Sequence, residues 1–368
     1  MMSTITTQLT ADGCRARQQR LRQHLADQGL DAALLTNPAH VFYFANDFHS
    51  QKTESCLLIP AHGPVALSTS SEADGHLVAD KVETYKFDRL CTLRDDQPSA
   101  VLEPIAAALS DYKRIGCDEP ARPWRLANLD VVDLNDTLYR MRRSKDADEL
   151  AVIRTAIIGC DAAYDAARGL LAPARPVVTE LQVHARMHAA AIEAVGEPIG
   201  EFGNDFQSGT PGGPPRQRKV EIGELMILDI GVVLRAYFSD LCRTFAVGNR
   251  PSDAQREAAR LVVEVLDHVE QTVRPGVSCK AIYEQVHARL DGQHGWIFPH
   301  HLGHGIGLST HEAPRLNPNW DDVFEIGDVF TAEPGLYGDE LRGGVRIEND
   351  YLVTDEGVKC LSDYPTEL

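Results

Sequence analysis

The sequence predicts an α/β domain at the N-terminus followed by a larger α+β domain with an antiparallel sheet. Three observations support this fold class. The 368 residues are too many for one typical domain. Short apolar runs alternate with turns and helical patterns in the first part of the chain. In the second part, an order of two helices followed by strands occurs twice.

The N-terminal domain begins with an amphipathic helix. Over residues 12–29, Leu21, Leu25 and Leu30 recur at helical spacing. Apolar runs bounded by Pro, Gly and other turn residues then predict strands. These runs are residues 31–36, 41–46, 55–68 and 114–119.

The domain boundary is predicted at a charged segment, residues 141–150, that interrupts the apolar pattern. We therefore expect domains at 1–143 and 144–368. Four capped helix starts follow this boundary. They are Asp146 with Glu149, Thr179 with Gln182, Ser252 with Gln255, and Ser278. Strand-like runs follow each helix pair, and their hairpin-like order predicts an antiparallel sheet with helices on one face.

The composition is that of a globular protein, with 43% hydrophobic and 24% charged residues. The net charge of −18 argues against nucleic acid or an anionic membrane as a partner. Eight cysteines without a CxxC pair argue against structural zinc and a disulfide framework, and favour a reducing compartment. No signal-peptide core and no apolar run of membrane-spanning length is evident. A cytoplasmic location is therefore predicted.

Two segments of the second domain share one pattern of glycines and acids. GELMILDIG at 223–231 and GDVFTAEPG at 327–335 place Asp229 and Glu333 at matching positions after apolar, strand-like runs. Each copy is followed by another acid on a strand-like segment, Asp240 in the first and Glu348 in the second. Buried acids are costly alone and repel one another together. The pattern therefore predicts a metal site built by a duplicated fold.

The neighbouring residues indicate which metal and which chemistry. A turn at residues 234–235 would place Asp229 and Asp240 on two antiparallel strands, and Arg346 shares a strand face with Glu348. Four histidines lie nearby in the segment 300–314, at positions 300, 301, 304 and 311. Carboxylates with an imidazole suit Mn²⁺, Co²⁺ or Zn²⁺. Two divalent ions would balance four carboxylates and suit hydrolysis of an amide or related C–N bond.

With these motifs the chain resembles the pita-bread metallohydrolases, in the branch that contains creatinase, aminopeptidase P and prolidase. Residues 19–48 resemble the start of that branch's N-terminal domain, and residues 142–156 resemble the entry to its catalytic domain. The resemblance implies a pita-bread fold and hydrolysis of the N-terminal Xaa-Pro bond of small peptides. It also implies two divalent ions per subunit, with Mn²⁺ preferred over Co²⁺ or Zn²⁺, and a homodimer.

The resemblance also implies a role for each matching residue. Asp229 would bind one ion, and Asp240 would bridge both. The other three ligands are His304 and Glu333, each on one ion, and Glu348, which completes the bridge. Glu333 would also serve as the general base. The substrate-facing or supporting residues are His300, His311, Tyr337 and Arg346, of which the two histidines would contact the tetrahedral intermediate.

One position departs from the family pattern. The loop at 207–219 corresponds to a family loop that ends in Pro-His, but here Pro215 is followed by Arg216. Arginine has no acceptor and stays charged, so it cannot act as that histidine would. Arg216 could instead bind a substrate carboxylate, as could Lys52, or it could be a solvated loop charge.

Two rival functions remain open. One is a creatinase-like hydrolase of a small non-peptide metabolite. The other is a binding homologue without catalysis, because Arg216 replaces a family histidine. Among the remaining histidines, we expect His184 and His188 on a solvated helix face, and His301 turned away from the site by strand alternation.

Overall fold

A computed structural model describes residues 5, 7–48, 53–70, 76–119 and 128–368 of the chain. Lys52 lies outside these residues. By internal packing the chain divides into two compact units, Gln8–Met141 and a unit that includes Arg142–Leu368. The first unit is an α/β unit and the second carries all the residues of the predicted metal site.

The N-terminal unit contains a mixed sheet with short helices. The strands are β1 (Ala32–Leu35), β2 (Cys56–Pro60), β3 (Ala66–Thr69), β4 (Lys81–Thr84), β5 (Asp88–Arg89), β6 (Thr92–Leu93), β7 (Arg114–Cys117) and β8 (Asp130–Asp133). The sheet order is β4-β3-β2-β1-β7-β8, antiparallel across β1–β2 and β2–β3 and parallel elsewhere. The helices are α1 (Ala11–Asp27), α2 (Pro38–Ala45), α3 (Gln97–Ala100), α4 (Ala106–Leu109) and α5 (Asn135–Arg143), the last crossing the boundary between the units.

The strand expected at 41–46 is wrong, because these residues belong to helix α2. Asn37 caps the helix by accepting a hydrogen bond from Ala39 N at 2.9 Å, and Pro38 occupies the first turn. Every side chain from His40 to Ala45 is buried. A helix buried on all sides has no amphipathic period, so the apolar run alone could not distinguish it from a strand.

The C-terminal unit has four long helices at the predicted positions. They are α6 (Ala147–Leu171), α7 (Glu180–Val195), α8 (Asp253–Thr272) and α9 (Cys279–Leu290). The capping boxes predicted for α6, α7 and α8 are all present, and Ser278 caps α9. None of the helices in the described part of the chain combines the length and apolar composition that a bilayer crossing requires.

The strands of this unit pair only in antiparallel fashion within the described residues. They are β9 (Leu225–Ile230), β10 (Val233–Leu234), β11 (Tyr237–Phe238), β12 (Leu241–Ala246), β13 (Gly303–Gly305), β14 (Glu312–Leu316), β15 (Val329–Ala332), β16 (Gly335–Gly338), β17 (Gly343–Arg346), β18 (Asn349–Val353) and β19 (Val358–Cys360). Apolar residues of α8 and α9 share one buried cluster with β15–β18. The predicted α+β architecture is confirmed.

Arg243 of β12 connects three segments of this unit and is almost fully buried. Its Nη1 donates to the carbonyl of Glu348 at 2.7 Å, and its Nη2 and Nε donate to Tyr364 O at 2.9 Å and Pro365 O at 3.0 Å. The guanidinium thus joins β12 and the Glu348 backbone to the C-terminal tail.

We expect Arg243→Met to lower the midpoint of thermal unfolding by about 6 °C or more, because several buried carbonyls would lose their donor. Differential scanning calorimetry measures this change. The matched control is Arg256→Met on the exposed face of α8, which should leave the midpoint nearly unchanged. Equal effects of the two substitutions would contradict the bracing role of Arg243.

Candidate metal centre

Strands β9 and β12 bring the first two acids together. They pair antiparallel, with Asp229 of β9 opposite Cys242 of β12, and Asp240 directly precedes β12. The intervening hairpin β10–β11 turns through Arg235, which has a φ of 49°. The turn predicted at residues 234–235 is therefore confirmed.

The second pair of acids arrives from the other half of the unit. Glu333 directly follows β15, and its backbone N–H donates to Leu302 O at 2.7 Å. Glu348 lies between β17 and β18, where its N–H donates to Cys242 O at 3.0 Å. This bridge between Cys242 and Glu348 joins the two halves beneath the site.

All four acids line one cavity of about 360 Å³. Arg346 and the four histidines of segment 300–314 line the same cavity. The other lining residues are Glu201, Gly203, Asn204, Asp205, Gly231, Val233, Phe238, Ser239 and Thr310.

Three groups of residues in this cavity could each hold an ion, because the ligand atoms within each group lie within 4.8 Å of one another. They are Asp229 with Glu333 and Glu348, Asp240 with His304 and Glu348, and His301 with His304 and Glu333. The first two sets share Glu348 and together contain all five predicted ligands. Two adjacent cation positions with one common carboxylate therefore fit the geometry.

The electrostatics of these acids require a compensating charge. Burial, together with the charges of Glu333 and Asp205, raises the pKa of Asp229 to about 7 against the opposing effect of Arg346. Burial, then repulsion by neighbouring carboxylates, raises the pKa of Asp240 and of Glu348 well above their ordinary values. A divalent cation removes this repulsion because it attracts all of the ligand charges at once.

A buried carboxylate oxygen without a hydrogen-bond partner also indicates a cation site. Within the described residues, Oε1 of Glu348 is buried and has no hydrogen-bond partner. Such a group is costly unless something binds it. Oxygen ligands with one imidazole are the donor set of Mn²⁺, Co²⁺ and Zn²⁺ sites. The residues present therefore fit a pair of divalent ions.

His304 is oriented toward the carboxylates by its backbone contact. Its Nδ1 lies 3.2 Å from Gly305 O, which leaves Nε2 at 3.6 Å from Glu333 Oε1 and 3.8 Å from Asp240 Oδ2. Burial lowers the pKa of His304 to about 4, so the ring is neutral and its Nε2 can serve as a ligand. The ring of His311 stacks on it at 3.7 Å between centroids.

Arg346 and Tyr337 form a chain behind the acids. Arg346 Nη2 donates to Asp229 Oδ2 at 2.7 Å and also to Asp205, while Nη1 donates to the Tyr337 hydroxyl at 3.3 Å. That hydroxyl lies 2.8 Å from His300 Nε2. Tyr337 therefore supports His300 and Arg346 without lining the cavity itself.

Comparison with known proteins identifies the family. Residues 151–355 match the family model of metallopeptidase family M24, and residues 17–143 match the creatinase/prolidase N-terminal domain. The first match covers more than half of the chain. The chain belongs to metallopeptidase family M24.

Relatives and solved structures agree with this assignment. A Xaa-Pro dipeptidase of Pyrococcus horikoshii is 31% identical over 363 residues, covering 95% of this chain and 97% of the relative. The crystal structure of a Pyrococcus horikoshii OT3 prolidase is similar with a TM-score of 0.76 at 25% identity, covering 96% of this chain and 99% of that chain. The crystal structure of an X-Pro aminopeptidase from Thermotoga maritima is similar with a TM-score of 0.78 at 25% identity, covering 95% of this chain and 98% of that chain. The pita-bread resemblance is confirmed, and this chain is a metallopeptidase.

The expectation for His301 is wrong for this M24 member. His301 lines the cavity, and its Nε2 lies 2.7 Å from Glu333 Oε1. Residues 300 and 301 precede β13 and are not in a strand, so alternation does not apply to them. Burial alone would raise the pKa of Glu333, but the hydrogen bond and charge of His301 lower it to about 2. His301 thus keeps this carboxylate ionised.

Arg216 lies in a different environment from the other predicted site residues. It does not line the cavity, and its Nη2 and Nε donate to buried Glu180 at 2.6 and 2.9 Å. A further bond runs from Nη2 to Ser208 O at 3.2 Å. These contacts anchor the loop to the start of α7.

His184 and His188 are half-buried rather than fully solvated. Their rings stack at 6.2 Å between centroids, and His184 meets Phe206 edge-on at 4.6 Å. Burial lowers the pKa of His184, with a smaller contribution from His188. This aromatic cluster packs the segment 202–206 against α7.

We expect Asp240→Asn to separate two effects of the Asp240 charge, its repulsion of the other carboxylates and its attraction for a metal ion. Without metal, removing one of the repelling carboxylates should leave the midpoint of thermal unfolding equal or higher. The increase in midpoint on adding Mn²⁺ should be lost, because a ligand is missing. Thermal unfolding with and without Mn²⁺ measures both effects. Asp321→Asn at an exposed position is the charge-matched control. A metal-free midpoint that drops in Asp240→Asn but not in Asp321→Asn would contradict this interpretation.

We expect Arg216→Gln and Arg216→His to destabilise the protein at pH 7 without increasing peptidase activity. Burial alone would raise the pKa of Glu180, but hydrogen bonds from Arg216 and Ser208 lower it. A carboxyl group whose pKa is lower in the folded than in the unfolded protein stabilises the fold at pH values above its unfolded pKa. This stabilisation is lost as the pH falls through the folded pKa. The stability difference from wild type should therefore shrink below about pH 4. Unfolding midpoints across pH test this, and a large gain in activity with unchanged stability would refute it.

Proposed function

We propose that this M24 metallopeptidase hydrolyses the N-terminal Xaa-Pro bond of dipeptides or short peptides with two divalent ions. The observation that supports this most directly is the pair of ligand sets that share Glu348 inside one cavity. The similarity to proteins named as Xaa-Pro dipeptidase, prolidase and X-Pro aminopeptidase supports the substrate class. It favours this function over a creatinase-like hydrolase or a binding homologue.

We assign the metal ligands from the family roles, and the distances agree in making Glu348 common to both ligand sets. Asp229 and Glu333 would bind one ion and His304 the other, with Asp240 and Glu348 bridging both. Mn²⁺ is the preferred metal, and Co²⁺ or Zn²⁺ are alternatives. When bound, such a pair supplies activation of water and polarisation of the peptide carbonyl.

Glu333 is assigned as the general base. Its carboxylate is ionised beside His301, so it can accept a proton from the attacking water. The water oxygen then forms a bond to the scissile carbonyl carbon. As the C–N bond breaks, the proton held by Glu333 passes to the proline nitrogen, which leaves as a secondary amine. His301 would hold the carboxylate in place during both transfers.

His300 and His311 are assigned to the substrate side of the cavity. Burial lowers the pKa of both rings, so both are neutral at pH 7. A neutral imidazole can donate its one N–H to the carbonyl oxygen as negative charge develops there, and we assign this to His311. The one N–H of neutral His300 donates from Nδ1 to His301 O at 2.8 Å and Nε2 accepts from the Tyr337 hydroxyl, so His300 would contact substrate with its ring without donating to it. Arg346 would orient Asp229, and Tyr337 would hold His300. Arg216 would anchor the loop at 207–219 rather than bind substrate.

The remaining assignments follow from the resemblance and from charge. We propose domains at 1–143 and 144–368, a homodimer, and a cytoplasmic location. A small peptide is the proposed partner, and the net charge of −18 supports the exclusion of nucleic acid and membrane.

We expect chelation to abolish hydrolysis of Xaa-Pro substrates and Mn²⁺ or Co²⁺ to restore it, because the charges of the ligand set need cations. Hydrolysis rates are measured after metal reconstitution. Comparing Xaa-Pro with the matched Xaa-Ala peptides gives the specificity for proline, and comparing Xaa-Pro with Xaa-Pro-Xaa gives the preferred peptide length. Creatine serves as the non-peptide comparison. Full activity after complete metal removal, or turnover of creatine in place of the proline peptides, would refute the proposal.

A further inference from the structure

Asp205 is a carboxylate of the cavity wall that neither duplicated segment contains. Residues 202–208 run beside β9, with bridges from Asp205 to Asp229 and from Ser208 to Met226. The backbone N–H of Asp229 donates to Asp205 O at 3.1 Å. Asp205 is therefore held in register with a predicted metal ligand.

The side chain of Asp205 joins two parts of the site. Its Oδ2 accepts from Arg346 Nη2, the same nitrogen that donates to Asp229. Its Oδ1 accepts from Gly213 N at 2.6 Å, which closes the loop 205–213. A Cβ at Gly212 would lie only 2.6–2.7 Å from the Asp205 carboxylate, so the loop backbone approaches it closely.

The charge balance gives Asp205 a reason to be present. Two divalent ions would neutralise the four ligand carboxylates, which leaves the permanent positive charge of Arg346 beside them. Asp205 lies outside the ligand set and accepts a hydrogen bond from Arg346, so its carboxylate can compensate this charge. Without it, Arg346 would repel the ions and would depend on Asp229 alone as an anionic partner. Both effects weaken metal binding.

We propose that Asp205 is a positioning residue that neutralises Arg346, leaves Asp229 available to the metal, and fixes the loop 205–213 at the cavity wall. It acts through Arg346 and through Gly213 rather than on the reacting atoms. Its two oxygens divide these tasks, because one faces the guanidinium and the other faces the loop.

Two substitutions separate the tasks. Asp205→Asn keeps an oxygen for Gly213 N but replaces the oxygen that accepts from Arg346 with an amide NH2 group, which donates and cannot accept. Asp205→Ala removes both acceptors. We expect both variants to bind Mn²⁺ about 10-fold or more weakly by isothermal titration calorimetry. KM for the Xaa-Pro peptide should rise mainly in Asp205→Ala, where the loop is released. This kinetic readout rests on the proposed function, whereas the metal titration does not.

The matched control is Glu201→Gln, which removes the same charge from the same cavity wall at a residue with no hydrogen bond to Arg346. Arg346→Lys, alone and combined with Asp205→Asn, completes a double-mutant cycle. A loss of Mn²⁺ affinity that is not additive with Arg346→Lys supports the proposal. Wild-type Mn²⁺ affinity in both Asp205 variants, additive losses, or an equal loss in Glu201→Gln would each overturn it. If wild type binds Mn²⁺ but does not cleave Xaa-Pro peptides, the proposed function fails while the titration still decides the role of Asp205.

Discussion

Mutual repulsion among buried carboxylates is the constraint on which the rest of the C-terminal unit depends. Asp229, Asp240, Glu333 and Glu348 line one cavity, and burial raises the cost of each negative charge. No arrangement of these acids alone relieves that cost. The fold must therefore supply counter-charges, hydrogen bonds and a geometry that cations can complete. Much of the surrounding structure can be understood as meeting this requirement.

The duplicated architecture meets the requirement by holding the acids on rigid, paired backbone. Asp229 lies in a strand that pairs with β12, and Glu348 is bonded through its backbone to Cys242 of β12. Arg243 then fixes the carbonyl of Glu348 from below. Because the backbones are fixed on both sides, the carboxylates cannot relax apart. Without a cation, the raised pKa values of Asp229, Asp240 and Glu348 express this repulsion. A bound cation would offset it by attracting every carboxylate.

The sequence predicts the structure well where a structural feature depends on residues that are close together in the chain. Acids after apolar runs predicted four carboxylates that line one cavity, and capping residues predicted the long helices. It does not predict features that depend on contacts between residues far apart in the chain. Strand alternation does not place His301, because residues 300 and 301 are not in a strand. No pattern marks Asp205, because it lies outside the duplicated segments and gains its partner only when Arg346 is folded beside it. The helix at 38–45 was misread because uniform burial erases the helical period.

Arg216 shows how a departure in sequence can lie outside the candidate metal centre. The guanidinium is held by Glu180, whose charge would otherwise be buried at the start of α7. An arginine at this position is therefore explained by the anion beneath it, and Arg216 does not line the cavity. The departure changes how the loop is anchored rather than what it presents to the cavity. Asp205, two residues before this loop, lines the cavity and contributes through Arg346 to the charge balance at Asp229.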